Sequence, residues 1–319
     1  MSMVRMLFLG ASKRVSLLER FVEAACRHGI DLKMLSCEAD ERFYPISSLA
    51  QVIGAPAFLS VDFGGWLGGV IERHSVDIVI PNMDSATVAL SRFAETYRGS
   101  CWLLVSTRLL CETMYDKILA DAFFHRCGLP LPSNTAGRFP KILKPRFGFG
   151  SRNVHIASNA AKMDELQQDS ECEYLVQDFL SGCQETTADI YLSHRYGLLG
   201  YVLRDRIEVS DGEVMVCRTR FPRIGEERLL ETVASISGWQ GCITLQYLTA
   251  SGKDLYVLEI NPRFGGGATC GMEAGLDMAS YILLERLSRP IVRPKAMRNL
   301  MMTRARRDFF RELEESSFC

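Results

Sequence analysis

The sequence lacks most of the features that would tie it to a membrane, a nucleic acid or a metal cluster. Its 319 residues hold no apolar run near the roughly 20 residues that span a bilayer. A formal net charge of −1 gives no electrostatic case for nucleic acid or an anionic membrane as partner. There are five histidines, none in an H-x-x-x-H arrangement, and eleven cysteines without a C-x-x-C pair, so no zinc or iron–sulfur site is offered. The cysteine count is odd and the spacing irregular, which excludes a disulfide framework. Cys26, Cys101, Cys217 and Cys242 sit among apolar residues and read as small buried hydrophobes, as expected in a reducing cytoplasm. The opening MSMVRMLFLGASKR has too short an apolar core and no small-residue cleavage site for a secretory signal, so it reads as a first buried strand. The loop after it, GASKRV, lacks the G-x-G-x-x-G fingerprint of a dinucleotide site, although Glu38 occupies a fitting acidic position. No internal repeat and no low-complexity segment is present.

What is there is the composition of a globular protein of two or three domains, 47% apolar and 24% charged. Strands over 4–10, 32–38, 52–55, 76–81 and 102–106 alternate with helices over 15–28, 67–74 and 85–97, which predicts a parallel, doubly wound sheet. Ligands of such sheets sit beyond the carboxyl ends of the strands, which here carry residues 10–14, Glu38 and 82–84. Residues 107–135 read as helical, with Thr107 as a cap and Cys127-Gly128-Leu129-Pro130 as a terminator. A strand over 140–144, the loop PRFGFGSRNV and a strand over 175–180 follow. Antiparallel strands from 185–192 onward, a helix over 226–237 and a hairpin of 242–248 with 254–260 complete the pattern. Arg304, Arg306 and Arg307 read as a solvated helix face.

The most informative stretch is residues 254–267, DLYVLEINPRFGGG. Side chains two apart on a strand share a face, so Glu259 and Asn261 project together from the strand end. Two hard oxygen donors side by side suit a magnesium ion bridging nucleotide phosphates. Arg263 adds a cation that keeps its proton, suited to charge developing on a transferred phosphoryl group. Upstream, Lys117 lies early in a helix, and Lys144 closes a strand before a loop bearing Gly148, Gly150 and Ser151, whose backbone can bend over an anion. Gln246 lies inside an apolar strand, where an amide is costly unless partnered, and a metal or phosphate shared with Glu259 is its simplest partner. Arg218 and Arg220, on one strand face, are candidates for holding a carboxylate or phosphate.

Two lysines, a glycine-rich loop, a hinge strand and then Q…E-I-N-P-R resemble, in that order, the ATP-grasp superfamily. The pattern is most similar to the carbamoyl-phosphate-synthetase-large-subunit-like and carboxylate–amine ligase branch. The resemblance implies an α/β, Rossmann-like pre-ATP-grasp domain (1–106), an α+β ATP-grasp subdomain with the glycine-rich loop (107–174) and a C-terminal subdomain with the metal site (175–319). It implies Lys117, Lys144 and the Gly148–Gly150–Ser151 loop at ATP phosphates, and Gln177, Asp178, Phe179 and Leu180 as the hinge meeting adenine. Glu185 would hold the ribose, and Gln246, Glu259 and Asn261 would hold magnesium or manganese. Arg263, Lys144 and Arg220 would act on the reacting groups. Gln177 and Gln246 stand where the family often has an acid. The chain also ends soon after this region, so a tandem synthetase making carbamoyl phosphate is not expected. The implied activity is ADP-forming ligation of a small carboxylate to an amine in the cytoplasm, with room for a homodimer. The rival reading is a non-catalytic ATP-binding regulatory or scaffold protein of the same fold.

Overall fold

The computed structural model describes residues 2–38, 46–148, 150, 152–168, 172–210, 212–250, 254–292, 297–305 and 307–309. The first region runs β1 (Ser2–Leu9), α1 (Val15–Arg27), β2 (Ile30–Glu38), β3 (Gln51–Gly54), α2 (Phe63–His74), β4 (Ile78–Pro81), α3 (Asp84–Thr96) and β5 (Trp102–Leu103). Its five strands pair in parallel in the order β3-β2-β1-β4-β5. Strand alternation sends Met6 and Phe8 of β1 to one face and Leu7 and Leu9 to the other, so both faces are buried. Helix α1 presents Leu17, Leu18, Phe21, Ala24 and Ala25 as its buried stripe. Cys26, by contrast, lies on the exposed side of α1, and Cys101, Cys217 and Cys242 are the buried members of the expected set.

Beyond this sheet the expected single helical stretch is broken in two, α4 (Arg108–Tyr115) and α5 (Lys117–Arg126), and residues 127–135 are not helical. The break is Asp116. Its backbone is extended and its carboxylate accepts the N–H groups of Ile118 and Leu119, which starts a new helix at Lys117. Strands β6 (Lys141–Pro145), β7 (His155–Ala157) and β8 (Tyr174–Asp178), with α6 (Ala160–Gln168) between the last two, form a small antiparallel sheet of order β7-β6-β8.

The remainder is β9 (Gln184–Ser193), β10 (Gly197–Ser210), β11 (Glu213–Arg220), α7 (Ile224–Ser235), β12 (Gly241–Thr249), β13 (Leu255–Asn261), α8 (Ala268–Glu273), α9 (Met278–Arg286) and β14 (Met301–Thr303). Its strands make an antiparallel sheet of order β13-β12-β9-β10-β11-β14. Residues such as Ile190, Leu245 and Val257 pack on α4, α5 and α7, while Tyr191, Val202 and Cys242 face α8, α9 and the first sheet. Phe21 stands edge-on between Phe8 and Phe264, joining α1 to the segment after β13. The basic run near the C-terminus is not a helix among the described residues. Arg304 instead folds back from β14 to donate to Glu213 and to the carbonyl of Gly266, and Arg306 lies outside the described residues.

Candidate active site

A solvent-open cleft of about 620 Å³ separates the small sheet from the six-stranded one. Lys117, Gly148 and Gly150 line one side of it, and Glu259, Asn261 and Arg263 the other. The Asp116 cap positions the first side: its carboxylate also takes Arg146 Nε at 2.7 Å, pinning the start of the glycine loop to the start of α5. Lys117 is bound to the same loop twice, through its backbone N–H to the Arg146 carbonyl (3.0 Å) and through Nζ to the Gly148 carbonyl (2.9 Å).

Gly148 and Gly150 have φ of +144° and +66°, values that side chains disfavour. Gly150 also meets the β10–β11 turn. A Cβ on Gly212 would lie 2.6 Å from the Gly150 backbone, so the two turns touch only because neither carries a side chain there. Ser151, assigned to this loop from the sequence, lies outside the described residues.

Lys141 and Lys144 are three apart on β6 and therefore point to opposite faces. Lys141 is buried against Asp178 at 2.7 Å. Lys144 turns to the cleft, where Nζ donates to Gln177 Oε1 (2.9 Å), and Gln177 Nε2 donates to Asp121 Oδ1 (2.7 Å). Burial pushes the Lys144 ammonium below its ordinary pKa, against the opposing pull of Glu259, Asp121 and Glu185. Asp121 is a site residue that the sequence reading passed over, one helical turn after Lys117 on α5. Burial raises its carboxyl, which Gln177 and Lys144 counter.

The hinge segment corrects one expectation. The Asp178 side chain does not face the cleft: it accepts from Lys141, from the hydroxyls of Ser133 and Thr135 and from the Thr135 N–H, and it is buried. It fastens the end of β8 from behind. The backbone N–H of Phe179 is likewise spent, on the Pro140 carbonyl at 3.0 Å, and Phe179 and Leu180 are half-buried at the end of β8.

On the large sheet, Gln246 opposes Glu259 across the β12–β13 ladder. Its amide partner is Glu185 rather than Glu259: Gln246 Nε2 donates to Glu185 Oε1 at 3.2 Å, and Arg206 donates to the same oxygen. Asn261 Nδ2 donates to Glu259 Oε1 at 2.9 Å. Both amides thus give an N–H to a carboxylate and keep the carbonyl oxygen as their remaining function. With Glu259 they form a hard-oxygen set that fits a magnesium-like cation.

Arg263 is held by Asp84, the first residue of α3, through Nε (2.6 Å) and Nη2 (2.9 Å). Burial disfavours charge on Asp84, but the Arg263 guanidinium outweighs it and holds the carboxyl below its ordinary range. Arg220 does not reach the cleft as a free cation. It is committed to Asp205 (2.7 Å) and to both oxygens of Glu226, and Arg218 donates to the same Asp205. A strand face with two arginines reads the same whether it awaits an anion or already holds two carboxylates.

The glycine run after Arg263 is shaped from beneath. Arg204 and Asp189 form a buried two-hydrogen-bond pair at 2.6 and 3.0 Å. A Cβ on Gly267 would lie 2.2 Å from Arg204 Nη1, and one on Gly271 would lie 2.8 Å from Asp189 Oδ2.

Residues 114–267 match the ATP-grasp domain family, a span that contains every cleft residue named above except Asp84. These residues form an ATP-grasp domain. Solved structures with a similar fold include N5-carboxyaminoimidazole synthetase from Staphylococcus aureus complexed with ADP, which is 14% identical with a TM-score of 0.76 over 95% of this chain and 83% of that one. Biotin carboxylase from Campylobacter jejuni, in its β,γ-ATP complex, is 16% identical with a TM-score of 0.69, covering 90% and 72% of the two chains. The biotin carboxylase domain of Hydrogenobacter thermophilus 2-oxoglutarate carboxylase, with MgADP, ADP and bicarbonate, is 15% identical with a TM-score of 0.70 over 92% and 72%. No curated protein sequence matches the chain. Among the described residues, no helix is long and apolar enough to cross a membrane.

Proposed function

We propose that the protein is an ADP-forming ligase that activates a carboxylate as an acyl phosphate and joins it to an amine. The observation that carries this reading is the convergence on one cleft of Lys117, the glycine loop, Glu259, Asn261 and Arg263. In this reading Lys117 and Lys144 hold the phosphates of ATP, with the loop of Gly148, Gly150 and Ser151 above them. The segment Gln177–Leu180 borders adenine through backbone and apolar groups, the Asp178 carboxylate serving only to brace it. Glu185, already an acceptor, takes the ribose hydroxyls. Glu259, Asn261 and Gln246 would hold magnesium, or manganese, whose chemistry here is to neutralise charge on the β- and γ-phosphates. The MgADP and bicarbonate in the Hydrogenobacter domain support that choice of cofactor.

Arg263 then faces the transferred phosphoryl group. A carboxylate acceptor set between it and the metal donors attacks the γ-phosphorus, ADP leaves, and an amine displaces phosphate from the acyl carbon. The enzyme's contribution is position and charge. Arg220, locked between Asp205 and Glu226, has no part in it.

The test is a screen of acids with ATP and hydroxylamine in place of the amine. A productive acid releases ADP and phosphate and leaves a hydroxamate. Release of AMP and pyrophosphate would show an adenylate instead and overturn the assignment.

A further inference from the structure

Beyond Arg263, on the side of the parallel sheet, lies a group of cations that the ligase reading does not use. Arg14, at the end of the loop after β1, reaches across to the Gly265 carbonyl at 3.3 Å, its one side-chain hydrogen bond among the described residues. Arg304 comes from the far edge of the other sheet to the neighbouring Gly266 carbonyl. Arg263, Arg304, Asp84 and Glu213 are the charged groups that act on Arg14. Three guanidinium groups therefore share two carboxylates, of which Asp84 is already doubly engaged by Arg263 and Glu213 is exposed.

A guanidinium carries five N–H donors in a fork suited to carboxylate or phosphate, and Arg14 spends one of them on a neutral carbonyl. Burial and the like charge of Arg263 lower the Arg14 pKa to about 10, the signature of a cation short of an anion. A second observation comes from the same edge. Asn82 lies two residues before Asp84, is 2% exposed, and has no partner for its amide oxygen or nitrogen among the described residues. A buried carboxamide with both ends unsatisfied is costly, and a bound polar group would remove that cost.

We propose that the acid substrate carries a second oxyanion, a carboxylate or a phosphate, which Arg14 and Arg304 bind beyond Arg263, with Asn82 as a neutral hydrogen-bonding group for the same substrate. This rests on the ligase reading and narrows its substrate class. The carboxylate that accepts the phosphoryl group lies on the cleft side of Arg263, and the second anion lies on the sheet side. A monocarboxylate leaves Arg14 without its partner.

The experiment titrates the full chain, loaded with magnesium and a non-hydrolysable ATP analogue, with acetate, the dicarboxylates from malonate to adipate, and inorganic phosphate, read by calorimetry. At least one dianion is expected to bind about tenfold or more tighter than acetate, and whether it is phosphate or a dicarboxylate names the second group. Arg14→Met should remove that advantage while the affinities for acetate and the ATP analogue stay as in the wild type. Arg304→Met is a second variant with the same expectation, should Arg14→Met not fold. Dianions binding no tighter than acetate, or both variants keeping wild-type dianion affinity, overturns the proposal while leaving the ligase reading intact. Failure of the analogue to bind the wild type sinks the ligase reading instead, and the same titrations without nucleotide still decide the anion site.

Discussion

Asp84 and Arg263, 179 residues apart, meet through two hydrogen bonds across the seam between the parallel sheet and the ATP-grasp domain. The pair fixes the guanidinium in direction and partly neutralises it. Asp84→Ala leaves Arg263 largely buried without its counter-ion and is expected to cost about 2 kcal/mol. Double-mutant cycles with Arg263→Met, read by urea unfolding, should give a coupling energy of roughly 0.5–3 kcal/mol. Strictly additive effects would mean that the contact contributes nothing.

Glu259→Gln keeps the shape of the side chain and discards the only carboxylate of the proposed metal set. Turnover should fall by about a hundredfold or more, with an unchanged melting temperature and a changed dependence on magnesium. A mutant with wild-type magnesium response would place the cation elsewhere.

Gly212→Val puts a branched side chain where the Gly150 backbone lies and adds the strain of a positive φ. The turn and the glycine loop should separate, raising KM for ATP and speeding tryptic cleavage at Arg146 or Arg152. In the wild-type protein ATP with magnesium should slow that cleavage. Identical cleavage rates for mutant and wild type would mean that the contact does not seat the loop.

Lys144, held below the ordinary lysine range by burial, loses its proton at lower pH than an exposed lysine. Phosphate favours the charged form, so nucleotide affinity should decline on the alkaline side through the lowered pKa, with proton uptake on binding there. Calorimetry in buffers of different ionisation enthalpy reads that uptake. Lys144→Arg, which stays protonated, should abolish it while retaining part of the affinity. A wild-type protein without alkaline decline would show that Lys144 does not meet the phosphates.

Local pattern carries the features that depend on local geometry. The alternation of strand and helix in the first hundred residues is enough for the parallel sheet, because hydrophobic periodicity reports which faces are covered. The pairing of Glu259 with Asn261 follows from the two-residue repeat of a strand. Partner choice is different, since it depends on residues brought together only by folding. Nothing near Lys141 says that Asp178 will take it and leave Lys144 for the cleft. Arg220 reads as a free cation until Asp205 and Glu226 arrive from another strand and a helix. The amide of Gln246 finds Glu185, 61 residues earlier, before it finds anything shared with Glu259. Asp121 was within reach, since its i+4 spacing from Lys117 places both on one face of α5.

The Arg204–Asp189 pair has a consequence for how this sequence can drift over generations. Gly267 and Gly271 are small because a buried charge pair occupies the room their side chains would need. Positions 189, 204, 267 and 271 are therefore bound into one inherited set. A lineage that places alanine at 267 must give up the Arg204–Asp189 pair, and because either charge left buried alone is costly, the two are given up together. Glycines over this stretch record that history as much as any ligand above them.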